Sequence, residues 1–186
     1  MRRVALALVH HPVVDAESAV VTTAVTNLDV HDLARSGRTY GCSDLFVVHP
    51  IEAQRTLVER IRHHWTEGSS AKRIPDRKGA ISIVRVVSAL DDAIDALGGR
   101  ANVEVWITAA RQVAPPTSFA DARARLAGDG PPVLIVFGTG WGLAQSVIAA
   151  ADLTLEPIHA GHDTGFNHLS VRAACAIALD RLRGPK

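Results

Sequence analysis

The stretch PVLIVFGTGWGL, residues 132–143, joins an apolar run to a loop with glycines at 138, 140 and 142. A buried strand that enters a glycine-rich turn before a helix is a common way to hold a nucleotide. A phosphate-binding P-loop requires Lys-Ser or Lys-Thr after its last glycine, whereas Leu143 and Ala144 follow here. The glycine spacing also differs from that of dinucleotide sites, which disfavours NAD. Taken alone, the loop is equally compatible with a tight turn that binds nothing.

Two later segments favour a ligand. Leu155-Glu156-Pro157-Ile158 ends a short strand, and Asn167 precedes a helix as its expected N-cap. Loops over 137–142, 155–160 and 164–170 should therefore gather at one end of the sheet, where their backbone groups suit a flat adenine. The residues predicted to line this pocket are Phe137, Gly138, Thr139, Gly140, Trp141, Gly142, Leu155, Glu156, Pro157, Ile158, Asn167, His168, Leu169 and Ser170.

Histidine is the other chemically active residue type, with nine copies in the chain. His159, His162, Asp163 and His168 lie close together in sequence, but the spacings typical of helical or paired-cysteine zinc sites are absent. We therefore predict no metal. A metal-dependent hydrolase is a competing hypothesis, which predicts stoichiometric zinc. His168 is also a candidate for proton transfer.

The elements that must position these residues alternate between apolar strands and helical patterns. Strands are predicted at Val4–Val9, 43–50, 81–87, 103–110, 132–140 and 153–158, and helices at 27–40, 52–65, 88–99, 117–128 and 168–182. The polar segment 66–80 is interpreted as an exposed loop. This alternation predicts an α/β fold with a largely parallel sheet sandwiched by helices, in one domain over residues 1–186.

The composition is that of a globular protein, with 47% hydrophobic and 21% charged residues and a formal net charge of +1. Two cysteines do not form a disulfide framework, and a reducing, cytoplasmic setting is the simplest interpretation. We expect no membrane partner, since no stretch approaches the ~20 apolar residues of a membrane span.

The last third of the chain resembles the SPOUT, or α/β-knot, class of S-adenosylmethionine-dependent methyltransferases. The resemblance lies in Phe137-Gly138…Gly142, in Glu156-Pro157-Ile158 and in Asn167-His168-Leu169-Ser170-Val171 before an alanine-rich helix. The first motif of the class, Asn-x-Gly-x-x-x-Arg…Gly, matches NLDVHDLARSGRTYG through Arg35 and Gly41, but Asp29 and His31 replace the usual Asn and Gly. Over its full length the chain is most similar to a bacterial family of RNA methyltransferases in this class.

The resemblance implies a C-terminal deep trefoil knot, S-adenosyl-L-methionine as cofactor, RNA (tRNA or rRNA) as substrate, and a homodimer. It also implies that Arg35 faces the reacting centre, with Asp29 and His168 as further catalytic candidates. Arg38, one turn on, and the basic residues Lys72 and Arg73 near Trp65 are candidates for contact with RNA phosphates. The two motif departures leave an alternative open, a knotted protein that binds the cofactor or RNA without turnover.

Overall fold

The computed structural model describes residues 1–68, 73–162 and 165–185. Within these ranges the apolar runs form one large sheet and a small hairpin. The strands are β1 Val4–Val9, β2 Val13–Val14, β3 Val20–Val21, β4 Leu45–Val48, β5 Val84–Val87, β6 Glu104–Ile107, β7 Val133–Gly138 and β8 Leu153–Thr154.

The large sheet has the order β5-β4-β1-β7-β6-β8, and all of its pairings are parallel. After β1 the chain moves outward to β4 and β5, and after β7 it moves the other way, past β6 to β8. The carboxyl ends of β1 and β7 therefore flank the switch point at which parallel α/β sheets usually bind ligands.

Helices cover both faces of this sheet, as predicted. The described helices are α1 Asn27–Thr39, α2 Glu52–Thr66, α3 Pro75–Ile81, α4 Leu90–Asp95, α5 Phe119–Ala127, α6 Gln145–Ala149 and α7 Val171–Arg183, with a 3₁₀ turn at Arg100–Asn102. Leu6 and Leu8 point to the core under α1, α5 and α7, whereas Ala5 and Ala7 point to the core under α4 and α6. Both faces of β1 are buried because successive side chains of a strand alternate between faces.

Local capping explains why several predicted helix boundaries are confirmed. The Thr26 hydroxyl accepts the Asp29 N–H at the start of α1, and the Ser118 hydroxyl accepts the Asp121 N–H at the start of α5. Each bond satisfies a donor that the first helical turn leaves without a partner.

Several predicted boundaries are wrong. The strand predicted at 153–158 ends at Thr154, and the helix predicted at 88–99 is the shorter Leu90–Asp95. Segment 66–80 is not a loop throughout, because Pro75–Ile81 forms α3, with Pro75 in the first turn and Ala80 and Ile81 buried. β5 consequently begins at Val84 rather than at residue 81. The exposed polar side chains of α3 hid its helical pattern.

The last helix begins at Val171, and its N-cap is Ser170 rather than Asn167. The Ser170 hydroxyl accepts the Ala173 N–H at 3.2 Å, whereas the Asn167 amide is engaged elsewhere. The sequence offered two suitable capping residues three positions apart, and propensity alone did not distinguish them.

The chain just after β8 lies between two parts of the β6–α5 connection. On one side the Leu155 N–H donates to the Ile107 carbonyl at 2.9 Å. On the other side Thr117 donates to the Thr154 carbonyl at 2.7 Å and accepts the Glu156 N–H at 2.9 Å. Ile107 and Thr117 are the two ends of one loop, residues 108–116, and the strand end is bonded to both of them. From there the chain continues to α7, which packs against α1 and α5.

Candidate cofactor and active site

The glycine loop after β7 is shaped by close backbone contact. A Cβ on Gly138 would lie 2.9 Å from the Leu143 backbone nitrogen, which no side chain tolerates. The hairpin β2–β3, which sequence patterns did not predict, braces the loop: Val14 donates to the Gly142 carbonyl at 2.9 Å and accepts the Trp141 N–H at 3.0 Å. Gly138 is therefore required by packing.

Aromatic contacts join this loop to the segment before α7. The His168 ring lies edge-on to Trp141 with centroids 5.8 Å apart, and 5.5 Å from the ring of Phe166. Trp141 and Phe166 are nevertheless 61% and 71% exposed. Loops 139–142 and 165–170 thus meet at the carboxyl edge of the sheet and leave an aromatic surface open.

A further wall of this region was missed by sequence reasoning. The loop after β6 enters it because the Asn167 amide donates to the Ala110 carbonyl at 3.0 Å, and lies 3.4 Å from the His159 ring. Only the strand order could have revealed this wall: β6 lies between β7 and β8, so its carboxyl end must lie between theirs. Thr108, the first residue after β6, donates from its hydroxyl to the Val136 carbonyl at 3.1 Å.

The other predicted pocket residues fall into three groups. Phe137 and Leu155 are buried in the core, so only their backbones can face a ligand. The Glu156 carboxylate accepts the Phe119 N–H at 2.9 Å and so caps α5. The remaining residues, Thr139, Gly140, Gly142, Pro157, Ile158 and Leu169, are half-buried or exposed along the same edge.

A partly buried series of hydrogen-bonded polar side chains, also missed by sequence reasoning, lies at the switch point between β1 and β7. The Thr139 hydroxyl donates to the Val9 carbonyl at 3.0 Å, and it lies 2.5 Å from the Thr23 hydroxyl. Since a carbonyl only accepts, Thr23 must be the donor to Thr139, and the Thr23 oxygen then accepts from His10 Nδ1 at 3.0 Å. His10 is therefore the Nδ1–H tautomer.

His49 packs beside His10 with ring centroids 5.5 Å apart. Its Nε2 donates to the Thr23 carbonyl at 3.0 Å, and its Nδ1 accepts the Ile51 N–H at 3.1 Å, which makes this ring neutral as well. Burial, and then the neighbouring His49, lowers the pKa of His10 from 6.5 to about 4, and burial likewise lowers the pKa of His49. Both rings therefore remain neutral at neutral pH. We assign them a structural role, since their ring nitrogens bond to Thr23 and Ile51 within the chain.

The first-motif residues lie on α1. Arg35 is 61% exposed, and its guanidinium is 3.9 Å from the Asp32 carboxylate. Asp29 is only 15% exposed and pairs with Arg172, on α7, at 3.4 Å. Arg35 therefore keeps its charge directed to solvent, whereas Asp29 is already engaged inside the chain.

Two of the three predicted RNA-contact residues are described. Arg38 is exposed in the last turn of α1, and Arg73 is exposed before α3, whereas Lys72 lies outside the described residues. Arg77 stacks over Trp65 at 4.7 Å from the ring centroid. This contact places a cation over a half-buried indole, a combination that suits a polyanion.

Other chemistries find little support in the described residues. Burial raises the pKa of Cys42 to about 12 and also raises that of Cys175, so neither thiol is available as a nucleophile. Residues 1–68, 73–162 and 165–185 contain no group of three His, Cys, Asp or Glu side chains able to hold a metal ion; Asp163 is outside these ranges. None of the described helices is long and apolar enough to span a membrane.

A cavity of about 380 Å³ does not coincide with the predicted pocket. It is formed by the loop 113–117, α6 and the residues around β8, and none of its lining residues is a predicted site residue. The loops at the carboxyl edge instead form an open surface, consistent with the exposure of Trp141.

Known proteins resemble this chain over nearly its whole length. A family model described as SAM-dependent RNA methyltransferase matches residues 3–184. A tRNA (guanine-N(1)-)-methyltransferase of Oleidesulfovibrio alaskensis is 41% identical over 185 residues, which covers 98% of this chain and 42% of that protein. A protein of Aquifex aeolicus is 36% identical over 180 residues, covering 95% of this chain and 86% of its own length.

The chain thus spans about two fifths of the first of these relatives. Among solved structures, the A. aeolicus TrmH/SpoU tRNA modifying enzyme superposes with a TM-score of 0.58 at 14% identity, over 98% of this chain and 75% of that one. The fold is therefore that of the SPOUT methylases, as the motifs predicted. By its match over residues 3–184, the chain belongs to the family of S-adenosylmethionine-dependent RNA methyltransferases.

Proposed function

We propose that the chain methylates RNA with S-adenosyl-L-methionine, and that the substrate is a tRNA. The observation that carries this proposal is the meeting of the loops after β7, β6 and β8, through the Trp141–His168 and Asn167–Ala110 contacts. The O. alaskensis relative is a tRNA methyltransferase, which favours tRNA over rRNA as the substrate of this chain. The group that this chain methylates is either a base or a 2′-hydroxyl.

The glycine loop leaves open space that a cofactor could occupy. A Cβ at Gly142 would meet no atom within 4 Å, so open space adjoins the glycine loop. We infer that Gly140, Gly142 and Ile158 hold the adenosine through backbone groups, with Leu169 and Trp141 as apolar walls. When bound, the cofactor supplies an electrophilic methyl group on a sulfonium.

Arg35 and His168 are the residues we assign to the reaction. Arg35 extends a guanidinium to solvent, and a guanidinium is suited to hold an RNA phosphate by two parallel hydrogen bonds. His168 stands between two exposed rings at the cofactor loops and is placed to accept a proton from the target nucleotide. Arg38 and Arg73 extend the same cationic surface toward more distant phosphates.

The hydrogen bonds around Leu155 support a deep C-terminal knot. The strand end at 154–156 is bonded to both ends of the loop that begins at Ile107 and ends at Thr117, and α7 follows it. A chain that passes through such a loop and then folds a 13-residue helix beyond it is threaded. We propose that this threading fixes the cofactor loops without a lid.

A homodimer accounts for the exposed apolar groups at this end of the molecule. Leu28 at the start of α1, together with Phe166 and Leu169, is largely open to solvent in the single chain. We propose that a second copy covers this surface and brings its own Arg35 to the cofactor loops. Sedimentation equilibrium should report twice the chain mass, and a single-chain mass at micromolar concentration removes the dimer.

Calorimetry of the purified chain with S-adenosylmethionine, and with NAD as control, tests the cofactor. Incorporation of labelled methyl groups into separated tRNA and rRNA fractions then tests the reaction and its substrate. Arg35→Ala should abolish incorporation while cofactor binding stays within about twofold. Binding without incorporation by the wild type would instead establish the non-catalytic alternative, and no binding would reject the proposal.

A further inference from the structure

Asp29 is the residue at which this chain departs from the Asn of the first motif, and both of its carboxylate oxygens are engaged. Oδ2 accepts the Thr26 hydroxyl at 2.6 Å, and Oδ1 lies 3.4 Å from Arg172 Nε. The side chain is 15% exposed, so water reaches little of it. Both oxygens are therefore committed to contacts within the chain.

Arg172 extends this pairing to a second carboxylate. Its Nη1 lies 3.8 Å from Asp32 Oδ2, one turn further along α1. Asp29 and Asp32 share a face of the helix, since residues three apart are neighbours on its surface. Arg172 itself is 33% exposed and stands in the first turn of α7, two residues after the Ser170 N-cap.

Arg172 lies next to the end of the loop 165–170. That loop ends at the Ser170 cap, and Val171 is the single residue between the cap and Arg172. An ion pair at Arg172 therefore fastens the end of the loop to the start of α1. The loop carries Asn167 and His168, which contact Ala110 and Trp141 on two other loops of the site.

We propose that Asp29 and Arg172 are a matched pair of positioning residues that hold the loop 165–170 in its cofactor-binding arrangement, and that Asp29 is not the base. The pair explains the departure from the motif at position 29. An aspartate carries the negative charge that pairs with Arg172 of α7, and a neutral asparagine does not. This inference rests on the proposed function, in which loop 165–170 contacts S-adenosylmethionine.

The test is a double-mutant cycle on the full chain, with calorimetric titration of S-adenosylmethionine as the readout. Arg172→Gln and Asp29→Asn should each weaken binding about threefold to fivefold, the range expected when one partly shielded ion pair is lost. The double variant should be no weaker than the weaker single variant, because both changes remove the same interaction. Arg181→Gln, in the last turn of α7 and stacked on Phe119, is the matched control and should bind as the wild type does.

A merely structural pair would give a different pattern. It would lower the melting temperature of both single variants and leave the cofactor Kd unchanged, and that result overturns the proposal. Additive losses in the double variant also overturn it, since they indicate two separate contacts. So does a fall of 100-fold or more in methyl transfer for Asp29→Asn with unchanged cofactor Kd, the expectation for a lost base.

Folding of Arg172→Gln is checked by circular dichroism, and Arg172→Lys provides a second variant that keeps the charge. We expect Arg172→Lys to recover part of the affinity lost in Arg172→Gln, and no recovery counts against an ion pair. Failure of the wild type to bind S-adenosylmethionine would remove the proposed function. Binding by the wild type with unchanged binding by both Arg172 variants would remove this inference alone.

Discussion

His10 should make the folded protein sensitive to mild acid. Its ring is buried at the end of β1, it donates to Thr23, and burial lowers its pKa from 6.5 to about 4. Between these values the unfolded chain binds a proton at this ring and the folded chain does not. The contribution of the neutral His10 ring to the free energy of unfolding is therefore fully present above pH 6.5, and it is lost as the pH falls toward 4.

The size of this effect follows from the two pKa values. At pH 5 an unfolded ring with a pKa of 6.5 is almost fully protonated, and a folded ring with a pKa of about 4 is about one tenth protonated. Integrated from pH 7.5 to pH 5, the difference in proton binding removes about 2 kcal/mol from the free energy of unfolding. For a chain of this length that loss lowers the melting temperature by about 4–8 °C.

The assay is urea denaturation of the wild type and of His10→Asn at pH 7.5 and at pH 5. An asparagine amide can still donate to the Thr23 hydroxyl but does not titrate, so this variant should lose about 2 kcal/mol less than the wild type over the interval. His63→Asn, at an exposed position of α2, is the matched control and should retain the wild-type pH dependence. His49, whose pKa burial also lowers, is present in both proteins.

Two results would refute this reasoning. One is an equal loss of stability in the wild type and His10→Asn between the two pH values. The other is an NMR titration that places the pKa of the His10 ring near 6.5, which would mean that the ring is not desolvated as the structure has it.

The remaining predictions concern the glycine loop and the core. Gly138→Ala should weaken S-adenosylmethionine binding at least about tenfold by calorimetry, since its Cβ would meet a backbone nitrogen at 2.9 Å, whereas Gly79→Ala, which meets no atom within 4 Å, should bind normally. Wild-type affinity in Gly138→Ala would show that the loop tolerates displacement. Leu33→Ala, fully buried on α1, should cost about 2–5 kcal/mol in urea denaturation, whereas Leu57→Ala, at an exposed position of α2, should cost less than about 1 kcal/mol. Equal costs for these two variants would contradict the burial of α1.

Much of the architecture could be predicted because its signals are local. The apolar run of β7 and the glycines after it occur together in the sequence, as do the Thr26 cap and the helix that it starts. The polar exterior of α3 concealed its helical pattern. Two cap candidates three positions apart, Asn167 and Ser170, led to the wrong start for α7. In both cases local propensity is a weak guide, because the side chains face solvent. The motif residues themselves were recognised by their order along the chain, which does not require a structure.

The sequence by itself determined the strands of the large sheet, most helices, the family and the three loops expected to hold a cofactor. Tertiary structure alone decided that the loop after β6 joins them, that Thr23 connects His10 to Thr139, and that Arg172 engages Asp29. These contacts join residues separated by as many as 143 positions, as in the pair of Asp29 and Arg172. Hydrophobic periodicity specifies which face of an element is buried, but only the order of strands in the folded sheet specifies which side chains then meet.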